Sequence, residues 1–590
     1  MTNPNTPDLP ALLRQYWHYD GFRPRQEEII RSVLAGKDTL ALLPTGGGKS
    51  LCFQVPAMAL PGLCLVVSPL VALMKDQTDG LRKKGITAFS LHSGMSRKEV
   101  AATLQLAGNS NCKFLYVSPE RLETGLFSDY LHSLNVSLIA IDEAHCVSQW
   151  GYDFRPTYLR IAALREALPE VPMLGLTASA TPVVLEDIAD KLEMRAPAVF
   201  RLPFTRPNLS YSVFSVGNKL QKMAEILSKV AGSAIVYCRT RRSTRDISEG
   251  LVRQGIPAVA YHAGLSQDER VTRQEDWLKD RVRVIVSTNA FGMGIDKAGV
   301  RAVIHADVPE SVENYYQESG RAGRDGQKAY AVLLAENGEA VRLESMPDAR
   351  FPTLDKIRPV YQHLMNYLQL PAGSGEGNYY DFDLTGFAAR FGLEMSAVVN
   401  VLKVLEQEGI FSWQQQVFLP ARARFCVGKE TLYDFERDHP ELEPLIHGLL
   451  RGYEGIFDQS VAIRERQVAW QLHISQAQLA AQLEQLNAFR IIDYTPLKES
   501  PQLYFFRDRV ATEELYIDPV SYREKKEVYA TRIRAMIRYL GLGTGECRSR
   551  YLARYFGDKD AGDCGICDNC LAARKGSASP RKDSASSRRS

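Results

Sequence analysis

The sequence predicts an α/β protein in which two tandem parallel-sheet lobes are followed by a mainly helical, winged-helix-like region and a small zinc-binding module. Three observations carry that prediction. Short apolar runs alternate with amphipathic stretches in two successive series, as parallel strands joined by crossover helices require. A glycine-rich loop ending in Lys-Ser stands in the first series alone. Four cysteines gather near the end of the chain, whereas the other six are scattered.

The first series runs from Asp38 to about Leu202, with TLALLP, LCLVVSP, CKFLYVSP, SLIAIDEAH and MLGLTASAT as strands. After the first of them comes LPTGGGKS, Leu43 to Ser50, and then a helix-forming stretch from Leu51 to Leu60. A loop so placed can wrap a triphosphate with its backbone. Thr45, Gly46, Gly47 and Gly48 let N–H groups approach the phosphates, Lys49 would reach the β and γ oxygens, and Ser50 would hold Mg²⁺. The fourth strand delivers Asp142-Glu143-Ala144-His145 at its C-terminal end, where ligands of open α/β sheets gather. Asp142 can bind Mg²⁺, and Glu143 can polarise the attacking water in an in-line phosphoryl transfer.

Beyond a hinge at Arg201 to Asn208, a second series follows: SAIVYCRTR, PAVAYHAG, VRVIVSTNAF, RAVIHADVP and AYAVLLA. Having no phosphate loop of its own, this lobe leaves ATP to the cleft between the two. From Phe351 the texture becomes helical. Two stretches, starting at Asp383 and Arg466, each read as a short helix, a turn, a longer amphipathic helix and a strand, a winged-helix-like pattern. The expected boundaries are 1–205 and 206–350 for the lobes, 351–518 for the insert, 519–572 for the zinc module and 573–590 for a disordered basic tail. The stretch from Pro352 to Asp518 is expected to fold as one compact insert.

Composition narrows the function classes. With 590 residues, 45% hydrophobic and 24% charged, the core is ample, and a formal charge of only +3 places any nucleic-acid contact on local patches. No apolar run is long enough to span a bilayer, and the first residues lack the pattern of a signal peptide. A cytoplasmic protein without a membrane partner is therefore expected.

Cys547, then sixteen residues, then Cys564, Cys567 and Cys570 in CGICDNC match a closed tetrahedral Zn²⁺ site. The C-x₂-C-x₂-C run is also half of an iron–sulfur ligand set. The segment from His145 to Tyr158 interleaves Trp150, Tyr152, Phe154, Arg155 and Tyr158 with Ser148, Gln149, Gly151 and Asp153. It reads as an exposed loop on which bases can stack, each worth ~1–3 kcal/mol.

Taken together, FRPRQEEII, LPTGGGKS, SPLVALMKDQ, DEAHCVSQWGYDFRPTY, LTASATP, STNAFGMGIDK and QESGRAGRDG resemble, in order and spacing, the RecQ family of superfamily 2 DNA helicases. The resemblance implies RecA-like lobes, ATP-dependent unwinding of duplex DNA, and 3′ to 5′ translocation on a single strand, in repair and recombination. It selects zinc for the cysteines and implies that the aromatic loop couples strand binding to hydrolysis, with Trp150 and Arg155 the strongest coupling candidates, and with further DNA contacts at Phe154, Ser118 and Arg121. Gln26 would read adenine, with Tyr19 and Arg23 beside the base, and His145 would join the catalytic set. Arg324 is expected as the arginine finger, with Arg321 its neighbour and Gln317 on the same phosphate. Single-stranded and branched duplex DNA are the implied partners, together with a single-strand-binding protein and a type I topoisomerase.

The family's usual order differs: there the zinc module follows the lobes directly, with the winged helix and a small helical domain after it. Here the helical region comes first, so it is the candidate for gripping duplex DNA. The first unit offers only Lys403 as a basic residue between Glu394 and Phe411, which leaves a protein-docking role equally open. An RNA remodeller and a DNA-binding scaffold with a vestigial ATPase are the competing functions. The intact Lys49, Asp142, Glu143, Arg321 and Arg324 argue against the scaffold.

Overall fold

A computed structural model describes residues 8–577, except 93, 94, 96, 123, 124, 290, 292–296, 415–420, 459 and 497–500. It forms two compact units, one of residues up to 364 with 394–410 and 510 onward, the other of residues 365–393 and 411–509.

The first unit holds both lobes. In the first lobe, strands β1 (Thr39–Leu42), β2 (Leu63–Val67), β3 (Ala88–Leu91), β4 (Phe114–Val117), β5 (Val136–Ile141), β6 (Met173–Thr177) and β7 (Ala198–Arg201) make one parallel sheet in the order β3-β4-β2-β5-β6-β1-β7. The inner strands β1, β2, β4 and β6 are buried along their whole length, the pattern of a sheet covered on both faces. In the second lobe, β8 (Leu209–Ser215), β9 (Ser233–Tyr237), β10 (Ala258–Tyr261), β11 (Val284–Ser287), β12 (Val300–His305) and β13 (Ala329–Ala335) are ordered β10-β11-β9-β12-β13-β8, again parallel. The runs read from the sequence correspond to β1, β2, β4, β5, β6 and to β9 through β13. The three strands not read from it, β3, β7 and β8, all lie at sheet edges, where one flank is open and the apolar run is interrupted.

The end of the chain covers one of those edges. Val213 on β8 donates its N–H to Asp568 (2.9 Å), and Ser210 donates to the Ile566 carbonyl (2.7 Å). The zinc-module region therefore caps the second lobe's open strand, which would otherwise offer unpaired backbone groups. A 22-residue helix, Pro519–Leu540, leads into it, started by Asp518, whose carboxylate accepts from the N–H groups of Val520 and Ser521.

The boundaries of the insert differ from the expected 351–518. Helix Met395–Gln407 belongs to the first unit: its buried face carries Val398, Val401, Leu402, Val404 and Leu405, the Asn400 carbonyl accepts from Arg350, and Glu408 just beyond its end pairs with Lys525 at 2.8 Å. Residues 354–364 and 510–518 go with the lobes as well. The second unit has two small antiparallel sheets. Strands β14 (Tyr379–Asp381), β15 (Phe411–Gln414) and β19 (Gln502–Phe505) form one, with β19 central; β16 (Arg422–Phe425), β17 (Val461–Ala462) and β18 (Ile492–Thr495) form the other, with β16 central. The second sheet and its helices are therefore inserted, in sequence, between two adjacent strands of the first. Helix Gln476–Ala488 opens on a capping box between Ser475 and Gln478, and it packs Leu479, Leu483 and Leu486 into a core with Ile446, Leu449 and Ile492. Ala573 to Ser577, expected within the tail, continues a helix from Asp568. The rest of the tail lies outside the described residues, as does all of GMGID in STNAFGMGIDK.

Candidate nucleotide and metal sites

The phosphate loop leaves β1, between β6 and the edge strand β7, and turns directly into helix Lys49–Ala59. Gly46 and Gly48 have φ of +82° and +79°, a region that side chains enter at a cost of ~1–2 kcal/mol. A Cβ at Gly48 would also fall 2.3 Å from Gln26 Nε2. Lys49 Nζ reaches across to Glu143 Oε1 at 3.0 Å, which ties the loop to the end of β5. Asp142 Oδ1 accepts from the Glu143 N–H (3.0 Å), and the Asp142 carbonyl accepts from the Tyr158 hydroxyl (3.1 Å). Glu143 Oε2 is 3.4 Å from His145 Nδ1, which lies 2.9 Å from Thr177 Oγ1 on β6.

These groups sit in a buried polar pocket, and their protonation follows from it. Burial and the neighbouring charge of Glu143 push the Asp142 carboxyl up to about 6. Burial also pushes Glu143 up, but the charges of Lys49 and His145 outweigh it and hold that carboxyl below its usual range. Burial pulls Lys49 down, and Glu143 and Asp142 more than compensate. The Lys49–Glu143 pair therefore stays ionised. Glu143 itself has φ +48°, a strained backbone kept at this position.

The second lobe closes on the loop. A Cβ at Gly46 would be 3.1 Å from Arg324 Cγ, and one at Gly320 would be 3.2 Å from Thr45 Cβ. Arg324 thus lies directly over the phosphate loop. Arg321 is buried and hydrogen-bonds Tyr237, and Gln317 stands one turn earlier, on helix Val312–Ser319. Gln26 packs against the phosphate loop. It is 1% exposed, its Nε2 donates to the carbonyls of Gly48 (3.0 Å) and Gly47 (3.3 Å), and its Oε1 accepts from Arg23 N–H (2.8 Å). As arranged, Gln26 holds the loop. Arg23 donates to the Gly46 carbonyl, and Tyr19 is exposed.

The aromatic segment is not the exposed loop that its polar residues suggested. From Asp142 to Leu159 no residue is exposed. Ser148 is fully buried, donating to Asp187 at 2.5 Å; Tyr152 stacks on His145, with ring centroids 4.7 Å apart; and Tyr158 is core. Trp150, Phe154 and Arg155 are half-buried, with Arg155 paired to Asp153 at 3.3 Å and donating to the Pro69 carbonyl. Polarity was a poor guide to exposure because the folded protein satisfies these groups internally. Ser118 is buried, and Arg121 donates to the carbonyls of His92 and Met95.

The four cysteine sulfurs lie within 4.8 Å of one another, with Cys547 Sγ 3.5 Å from Cys564 Sγ and 3.9 Å from Cys567 Sγ. Backbone N–H groups of Arg550, Cys564, Cys567 and Cys570 point at sulfurs of the cluster. Four converging sulfurs supported by N–H donors fit a tetrahedral Zn²⁺ held as thiolates. Asn569 fastens the turn with three bonds, to the carbonyls of Leu542, Gly543 and Glu546.

Two parallel-sheet lobes, a phosphate loop joined to an Asp-Glu pair, and arginines presented from the opposite lobe define a two-lobed P-loop protein of the superfamily 2 kind. Comparison with known proteins agrees. Residues 23–188 match the DEAD/DEAH box helicase family, 218–326 the helicase conserved C-terminal domain, 423–496 the RecQ helicase winged-helix domain of Bacteroidota, and 506–571 the RecQ zinc-binding domain. The ATP-dependent DNA helicase RecQ of Pasteurella multocida is 43% identical over 326 residues, 55% of this chain and 52% of that protein. A probable ATP-dependent DNA helicase RecS of Bacillus subtilis is 38% identical over 362 residues, 60% of this chain and 72% of that protein. A DNA-bound DUF1998 helicase, MrfA, shares the fold at a TM-score of 0.50 and 17% identity, over 70% of this chain and 58% of that one. The chain belongs to the RecQ family, although the match spans only about half the length of the Pasteurella relative. The winged-helix match falls on the second of the two units read from the sequence, ahead of the zinc module. No helix among the described residues is long and apolar enough to cross a membrane.

Proposed function

We propose that this chain is an ATP-driven DNA helicase that moves 3′ to 5′ along one strand and separates the duplex ahead of it. The observation that carries the reading is the junction at the phosphate loop, where Lys49 meets Glu143 from one lobe and Arg324 lies over Gly46 from the other. The glycine backbone and Lys49 would hold the β and γ phosphates, and Ser50 and Asp142 would hold Mg²⁺. Bound there, the metal neutralises charge developing on the phosphates. Glu143, kept ionised by Lys49, is the acceptor for a proton from the attacking water. Arg324, with Arg321 behind it, adds positive charge only when the lobes meet, which makes turnover depend on closure. The aromatic segment starts right after Glu143, so strand binding at Trp150, Phe154 or Arg155 acts on the carboxylate through a few peptide units.

Polarity, the repair and recombination setting, and the partners named above rest on the family resemblance. Strand displacement with 3′-tailed, 5′-tailed and forked duplexes tests the reading. ATP-dependent release from 3′-tailed substrates supports it, whereas ATPase stimulated equally by RNA, without DNA unwinding, favours an RNA remodeller.

A further inference from the structure

Helix Pro519–Leu540 touches both lobes at one side chain. Arg532, with its side chain 12% exposed, donates through one terminal nitrogen to the carbonyl of Trp150 in the first lobe's aromatic segment. Its Nε lies 3.5 Å from Oε1 of Glu313, in the first turn of the second-lobe helix that also carries Gln317 and leads to Arg321 and Arg324. The same Glu313 oxygen accepts from Tyr555 of the zinc module at 2.8 Å. Glu313 is 3% exposed, and its other oxygen, Oε2, is buried without a hydrogen-bond partner among the described residues. A buried carboxylate oxygen left unsatisfied is costly, and here it stands beside a guanidinium with several donors.

We infer that Arg532 is a coupling switch that trades the Trp150 carbonyl for the second oxygen of Glu313 when the aromatic segment moves on DNA binding. Both arrangements are discrete hydrogen-bonded states, as energetic coupling between distant sites requires. In the present one, Arg532 ties the aromatic segment to the helix that positions the arginine pair. In the other, the segment is released and Glu313 becomes fully satisfied. Tyr555 fixes the opposite side of Glu313, and the stacking of neighbouring Phe556 on Phe204, centroids 4.5 Å apart, anchors the zinc module that supplies it. Arg532 and Glu313 are positioning residues, touching neither nucleotide nor phosphate loop.

The inference rests on the ATPase reading, so its test has two arms. The full chain and its Arg532→Ala, Arg532→Lys and Glu313→Gln variants are compared for basal ATPase, ATPase saturated with single-stranded DNA, and zinc content. Basal turnover and zinc stay unchanged, while the stimulated rate in Arg532→Ala falls roughly tenfold, the loss of one charge-assisted hydrogen bond. Arg532→Lys recovers part of it, since an ammonium reaches one acceptor at a time. Equal loss of basal and stimulated rates, or full stimulation in Arg532→Ala, overturns the inference. The second arm needs no turnover: limited chymotrypsin digestion should cut Arg532→Ala faster at Trp150 to Tyr158 than the unsubstituted chain, with cleavage elsewhere unaltered. Unchanged cutting there contradicts the clamp. Absence of ATPase in the unsubstituted chain alongside faster cutting would instead discard the functional reading and leave the clamp standing.

Discussion

Lys49 and Glu143 illustrate how a few side chains set the chemistry of the cleft. Glu143 is buried and Lys49 half-buried, each keeps the other charged, and their 3.0 Å contact joins two segments 94 residues apart in sequence. Glu143→Gln preserves shape while removing the proton acceptor, so ATP turnover should fall by about 10²–10⁴-fold with single-strand affinity retained; equal loss of DNA binding would show that the two surfaces are not separate. Gly48→Ala makes a different prediction. Its Cβ meets Gln26 and its φ disfavours any side chain, so thermal unfolding should report a loss of about 1–3 kcal/mol, and an unchanged midpoint would refute the packing argument. The residues of the loop and of the DEAH run could be read from sequence because their spacing is local. Thr177 and Tyr158, which fasten His145 and Asp142, could not: they come from β6 and from the far end of the aromatic segment, and only the fold brings them near.

At the scale of elements, burial explains which parts were legible. The inner strands announce themselves as unbroken apolar runs, whereas the edge strands β3, β7 and β8 are interrupted by Ser or Arg and are only partly buried. The aromatic segment misled for the converse reason, its polar residues being paired inside the fold. Trp150 is nonetheless half-buried at the junction of the first lobe and helix Pro519–Leu540, held there by Arg532. Trp150→Ala should lower DNA-stimulated ATPase far more than basal ATPase, and unchanged stimulation would take the segment out of the coupling path. For the zinc module, metal binding and folding are one equilibrium. Cys564→Ser should give protease-sensitive protein with less than the roughly one Zn²⁺ per chain expected of the native site, and because the module caps β8, aggregation should rise with it. Iron and labile sulfide in the native protein would contradict the zinc assignment.

Across the whole molecule, charge is unevenly divided. The second compact unit carries twelve Lys and Arg against sixteen Asp and Glu, while the chain as a whole is +3. Helix Gln476–Ala488 has no basic residue. Lys403 is half-buried, and burial together with Arg350 pushes its ammonium below the usual range. Lys and Arg supply the salt-dependent part of phosphate binding, so helix Gln476–Ala488, the one expected to enter a groove from this unit, is poorly equipped for it. Because residues 421–496 are inserted between β15 and β19, their replacement by a short turn should leave forked-duplex affinity and its salt dependence within about twofold. A collapse of duplex affinity would return the DNA grip to this unit.

The central claim, that ATP turned over between the two lobes drives strand separation, is tested most directly by strand displacement on a 3′-tailed duplex with ATP, using Lys49→Ala as the control. The account predicts release of the displaced strand by the unsubstituted chain, none by Lys49→Ala, and little from a 5′-tailed duplex. Release by Lys49→Ala, or equal release from both tails, would contradict it.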